Sequence, residues 1–170
     1  MYDDQTLLTF AQKAGAALAE RGLMLASAES CTGGWIGQAV TSVAGSSTWY
    51  DRGFITYSNH AKQQMLGVQA ATLTQYGAVS EQTAQEMAMG AIKMSEAQIA
   101  VAVTGIAGPG GGSKEKPVGT VCFAWACRHG LAHSKTHFFA GDRAAIRRQA
   151  VATALSGILQ LLSDIPPSVV

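Results

Sequence analysis

The chain has 170 residues, 48% of them hydrophobic, enough for one substantial core and short for two, so a single domain over 1–170 is expected. Its formal net charge of +1 supplies no global field to attract nucleic acid or a membrane surface, so any bound anion must be held by local geometry. No basic stretch leads into an apolar core at the N-terminus, no apolar run is long enough to span a bilayer, and Cys31, Cys122 and Cys127 form neither a CxxC pair nor a metal spacing. These features point away from a disulfide framework or a zinc site and toward the cytoplasm.

From Asp3 to Glu20 the apolar residues Leu7, Phe10, Ala11, Ala14 and Leu18 recur at three and four, which predicts a first helix stopped at Gly22. Leu23 to Ala28 reads as a short strand turning polar at Glu29 and Ser30, with a helix from Thr32 to Val40 directly after it. A second strand is expected over Gly53 to Tyr57, followed by a cap at Ser58 and Asn59 and a short helix from His60 to Leu66. Val79 and Ser80 suit the entry of a longer helix whose buried stripe is Ala84, Met87, Ala88 and Ala91. Ile99 to Val103 is apolar at every position, as expected of a central strand covered on both faces. Gly105 to Pro117 is too rich in glycine and proline for regular structure and reads as a mobile surface loop. Val118 to Cys127 and Leu131 to Phe139, separated by Arg128, His129 and Gly130, predict an antiparallel hairpin. Asp142 should cap a last helix with the stripe Val151, Leu155, Ile158 and Leu162, ended by Pro166 and Pro167. Strands interleaved with helices, plus one hairpin near the C-terminal part, imply an α/β fold: a three-layer α/β/α sandwich with a mixed sheet of about five strands.

Ligands of open α/β sheets sit beyond the carboxyl ends of the strands, and Ser30, Tyr57 with Lys62, and Thr104 with Gly105 all fall at such ends. Ser30 stands where a strand stops and a helix starts, so the amides of Cys31, Thr32 and Gly33 could face a developing oxyanion; it could equally be a helix cap. With Asn59 as cap, Lys62 is the third residue of a helix, where a carboxylate is the usual choice. The helix end favours its neutral amine, which can act as a base, and the alternative is an exposed lysine on a solvated face. Arg143 and Arg147 lie one turn apart at the start of the last helix, a conflict with the dipole that a bound anion would resolve. The GIAGPGGG loop offers backbone amides for an anion or serves only as a connector. His129, His133 and His137 recur every fourth position, but on strands that spacing is about 13 Å, too far to share an ion, so they are assigned to surface or interface positions. Cys31, at a helix start, is the one cysteine placed for thiolate stabilisation, although a small buried residue is the favoured reading.

The segments AESCTGGWIGQAVTSVAGSS, GFITYSNHAKQQMLGV, GAVSEQTAQEMA, VTGIAGPGGGSKEKPVGTV and GDRAAIRRQA together resemble the CinA C-terminal domain family over nearly the whole chain. The resemblance implies a nicotinamide-nucleotide amidase that converts nicotinamide mononucleotide and water into nicotinate mononucleotide and ammonia, in pyridine nucleotide salvage. It implies no metal or organic cofactor, a small-molecule nucleotide substrate, and a homo-oligomer, expected to be a dimer. By position in the matching motifs, Ser30 would be the nucleophile and Lys62 its base, with Tyr57, Thr104, Gly105 and Arg143 around the substrate. His60, at a place often acidic in YSNxAK motifs, and Gly110, at one often held by a larger polar residue, depart from the family pattern and are expected to bear on the pocket. Rival readings are an amidase for another small amide and a noncatalytic nucleotide-binding or interaction module on the same fold.

Overall fold

The computed structural model describes residues 2–166, and the side chains of all of these except Leu131 and Ala132. Asp3 opens helix α1 (Asp4–Glu20) by accepting from the Thr6 amide, which satisfies one of the unpaired N–H groups of the first turn. Its Leu7, Ala11, Ala14 and Leu18 face the core, as their spacing predicts. Strand β1 (Leu25–Glu29) is buried at every position. Helix α2 (Trp35–Thr41) begins three residues later than expected, because Gly33 and Gly34 take φ of 61° and 95°, outside helical space. Strand β2 (Tyr50–Ile55) starts earlier than expected and is an edge strand. Helix α3 (Asn59–Leu66) is capped by Ser58, not Asn59: the Ser58 hydroxyl accepts from the Ala61 amide, so Lys62 is the fourth helical residue.

A short helix α4 (Ala70–Tyr76), absent from the sequence reading, follows α3. It has no capping side chain of its own and no buried residue; Glu86 of the next helix supplies the cap by accepting from the Gln69 amide and the Thr72 hydroxyl. That helix is α5 (Glu81–Lys93), opened by Ser80. Strand β3 (Ile99–Gly105) leads through the glycine-rich loop to the hairpin of β4 (Thr120–Cys127) and β5 (Gly130–Phe138), whose turn is Arg128 and His129. Helix α6 (Arg143–Asp164), capped by Asp142, buries Val151, Leu155, Ile158 and Leu162. It ends before Pro166; Pro167 lies outside the described residues.

The sheet order is β2-β1-β3-β4-β5, with β1 parallel to β2 and β3, and antiparallel pairing across β3–β4 and β4–β5. Alternation along the strands divides the core. Leu25, Ile99, Val101, Val103, Val121, Phe123 and Trp125 pack under α1, α2 and α6, while Ala26, Ala28, Ala100, Ala102, Ala124 and Ala126 pack under α3 and α5. On β1, β3 and β4 the larger side chains lie on the first face and alanines dominate the second, with Phe54 of β2 packed at its border. β3 is the middle strand and is buried at Ile99 to Thr104, as its unbroken apolar run predicts. His133 stacks on Trp125 with ring centroids 4.6 Å apart and His137 meets Phe123 edge-on at 5.5 Å, so both half-bury on aromatic surface, and that burial lowers their pKa. Among the described residues, no helix is long and apolar enough to cross a membrane.

The connection after β1 crosses the face of α1 and α6, whereas that after β2 crosses the opposite face. Neighbouring strands whose connections leave in opposite directions open a crevice at their carboxyl ends. Ser30, Thr56 and Thr104 stand at that edge.

Candidate active site

Ser30 continues β1 by one residue, donating its amide to the Val103 carbonyl, while the Thr56 amide donates to the Glu29 carbonyl. These two bonds hold the end of β1 between its neighbours. Side-chain alternation turns Ser30 to the face that carries Ala26 and Ala28, where α3 lies. On α3, Lys62 is only 2% exposed, and its Nζ is 3.0 Å from Ser30 Oγ and 2.8 Å from the Thr56 carbonyl oxygen. Neither bland alternative describes these residues. Lys62 is not on a solvated face, and Ser30 caps nothing, because the N-cap of α2 is Gly34. Burial pushes the Lys62 pKa down, which favours the neutral amine.

The pair closes one end of a cavity of about 220 Å³, lined in addition by Cys31, Tyr57, Asn59, Ala78, Val79, Thr104, Gly105, Ala107 and Arg143. The Thr104 hydroxyl donates to the Ala78 carbonyl and so ties the segment before α5 to the end of β3. Gly105 is packed against β4, where an added Cβ would lie 2.8 Å from Val121 Cγ2. At the mouth, Arg143 donates from Nη1 to the Gly108 carbonyl and from Nη2 to the Tyr57 hydroxyl, at 2.8 and 2.9 Å. Tyr57 itself is 64% exposed. The glycine-rich loop thus meets the cavity directly at Ala107 and through the bond from Arg143 to the Gly108 carbonyl. His60 is exposed and Gly110 has open space around it, and neither lines the cavity.

Gly33 and the side chains of Thr32 and Arg147 do not line the cavity. Thr32 is fully buried, Gly33 lies beside the Arg147 guanidinium, and Arg147 donates to the carbonyls of Cys31 and Thr32 at 3.0 and 2.9 Å. With Gly33, Gly34 and Trp35, Arg147 borders a different cleft. Cys31 is buried, and desolvation pushes its thiol up to about 12, so it stays a neutral thiol at physiological pH.

Most backbone N–H groups of the turn have an acceptor. Gly33 donates to the Ser30 carbonyl and Trp35 to the Thr32 carbonyl, while Gly34, Ile36 and Gly37 donate to the carboxylate of Glu29, each at 3.0 Å. Among the described residues, the amides of Cys31 and Thr32 donate to no other residue. Glu29, 1% exposed, was not singled out in the sequence. The signal was an acidic residue just ahead of a helix start, where the dipole and unpaired amides favour a carboxylate.

The family model for the CinA C-terminal domain matches residues 7–162. The chain is 53% identical over 157 residues to the Nicotinamide-nucleotide amidohydrolase PncC of Escherichia coli (strain K12), covering 92% of this chain and 95% of that one. The Pseudomonas putida protein of the same name is 47% identical over 155 residues, covering 91% and 96%. Among solved structures, the competence/damage inducible protein CihA from Agrobacterium tumefaciens superposes with a TM-score of 0.87 at 50% identity, covering 92% of this chain and 95% of that one. Matched from the first helix to the last, in sequence and in structure, the chain belongs to the CinA C-terminal domain family.

Proposed function

We propose that this chain is a nicotinamide-nucleotide amidohydrolase that turns nicotinamide mononucleotide and water into nicotinate mononucleotide and ammonia, serving pyridine nucleotide salvage in the cytoplasm. The observation that carries the reading is the 3.0 Å contact between a buried lysine amine and a serine hydroxyl at the end of a cavity. The names borne by the relatives from Escherichia coli and Pseudomonas putida support the substrate class.

In this scheme the neutral Lys62 amine donates one hydrogen to the Thr56 carbonyl and turns its lone pair to the Ser30 hydroxyl. As Oγ attacks the carboxamide carbon, the proton passes to Nζ. The negative charge that develops on the amide oxygen is met by the unspent amides of Cys31 and Thr32. Collapse of the tetrahedral adduct breaks the C–N bond, and the proton on Nζ goes to the departing ammonia. Water then attacks the acyl-serine, giving its proton to the same amine; collapse of the adduct returns that proton from Nζ to Ser30 Oγ and releases the acid, which ionises to the carboxylate. The substrate phosphate sits at the cavity mouth against Arg143 beside Tyr57, with Thr104 and Gly105 along the wall, so that remote binding orients the reacting carbon. The scheme uses no metal or organic cofactor. The whole of 1–170 acts as one domain, within a homodimer.

The test is ammonia release from nicotinamide mononucleotide by the wild type, Ser30→Ala and Lys62→Met. Turnover by the wild type and its loss in both variants is expected; turnover in Ser30→Ala equal to the wild type overturns the nucleophile. A panel that varies base and phosphate separates this substrate from other small amides, and ligand-dependent melting shifts without ammonia would mark a noncatalytic binding module.

A further inference from the structure

The two unspent amides beside Ser30 belong to a turn that its own sequence does little to stiffen, since Gly33 and Gly34 follow with positive φ. What holds the turn comes from elsewhere in the chain. Glu29 takes the amides of Gly34, Ile36 and Gly37, and Arg147 takes the carbonyls of Cys31 and Thr32. We infer that Arg147 is a positioning residue: its guanidinium, bonded to two successive carbonyls of the turn, sets the orientation of the amides that receive the oxyanion and does not bind the substrate phosphate. The inference rests on the Ser30 reading above.

In a planar trans peptide the C=O and N–H point in opposite directions. Arg147 Nε holds the Cys31 carbonyl at 3.0 Å, so the N–H of the same peptide, that of Thr32, projects away from Arg147. Arg147 Nη2 holds the Thr32 carbonyl at 2.9 Å, and the N–H of that peptide, from Gly33, points back to the Ser30 carbonyl at 3.1 Å. That last bond fixes the Ser30–Cys31 peptide and with it the direction of the Cys31 N–H. One side chain therefore governs the Thr32 donor directly and the Cys31 donor through Gly33.

The chemistry asks for arginine. Two N–H groups on one rigid plane can hold two neighbouring carbonyls, whereas a lysine offers a single point of charge. The guanidinium is itself located by the Trp35 ring, 5.2 Å from its centroid. Donation to a carbonyl also polarises the peptide and makes its N–H a stronger donor, which favours charge developing in the transition state more than the neutral amide of the ground state. Arg143, one helical turn earlier, faces the cavity, so the two arginines divide between substrate and scaffold.

The experiment compares full-length wild type, Ser30→Ala, Arg147→Lys and Arg147→Ala for kcat and KM of ammonia release, with melting temperature as a check on folding. Binding of the product nicotinate mononucleotide is measured on each. A positioning role predicts kcat lowered about 100-fold in both arginine variants. KM and product Kd should stay within about threefold, because only transition-state contacts are lost. Millimolar guanidinium should partly restore kcat of Arg147→Ala, and methylammonium should not. Should Arg147→Ala fail to fold, Arg147→Lys carries the kcat and KM comparison alone. An unchanged kcat, or a rise in KM and product Kd with kcat preserved, overturns the inference while leaving Ser30 as nucleophile. A wild type that releases no ammonia overturns the Ser30 reading and this inference with it.

Discussion

Replacing Glu29 by glutamine tests the buried carboxylate that organises the turn. Its Oε2 accepts from Gly34 and Ile36 and its Oε1 from Gly37, all at 3.0 Å. A glutamine can place its single oxygen at the Oε2 position and keep two acceptances, but its NH₂ then faces the Gly37 N–H, donor against donor. Losing that bond and stranding a buried donor costs about 1–3 kcal/mol. The two retained bonds fall from charge-assisted to neutral, at about 1 kcal/mol each, and the cheaper burial of a neutral amide offsets part of the loss. The net expectation is about 3 kcal/mol. For a chain of 170 residues that is a fall in Tm of about 6–12 °C. Thermal melts and urea titrations followed by circular dichroism would read it, with the urea slope unchanged because the surface exposed on unfolding is the same. A Tm within about 2 °C of wild type would refute the reasoning, since it would mean that the carboxylate contributes nothing charged to the start of α2.

Two further outcomes follow from the same geometry. Because burial lowers the Lys62 pKa below its ordinary 10.5, kcat/KM should rise with pH and level off below that value as the amine loses its proton. Between the folded and unfolded pKa values the unfolded chain binds more protons, so wild-type stability should climb through this window relative to Lys62→Met; parallel urea midpoints at pH 7 and 10 would contradict the burial argument. Gly157 sits under the Trp125 indole, where an added Cβ would lie 2.2 Å from Cε2, and that indole donates to the Ala154 carbonyl at 2.9 Å. Gly157→Ala should therefore lower the urea midpoint by several tenths molar or more, corresponding to about 1–3 kcal/mol of overpacking; a wild-type midpoint would show that α6 can lift from the sheet freely.

Most of the architecture was legible in the chain, because burial leaves a periodic mark. The stripe from Val151 to Leu162, the unbroken run at Ile99 to Val103 and the caps at Ser80 and Asp142 each name an element by local rules, and each was found. What local rules could not reach were features completed from a distance. Helix α4 is capped by Glu86 from another helix, β2 is extended at its start by pairing with β1, and α2 is anchored by Glu29 with its start delayed by two glycines. A helix beginning at Thr32 would leave Ser30 as its cap; the turn through Gly33 and Gly34 moves the start to Trp35 and releases Ser30.

Local pattern establishes that a polar residue ends each of three strands, that a lysine stands in the first turn of a helix, and that the motifs are those of one family. It takes the folded arrangement to bring Lys62 within 3.0 Å of Ser30 out of solvent, and to turn Arg143 to the cavity and Arg147 to the turn behind it. Periodicity encodes which side of an element is buried, since each residue is sampled by its own neighbours. The meeting of two side chains from different elements depends on sheet order and on the side of the sheet each connection crosses, and those are settled by the packing of the whole core.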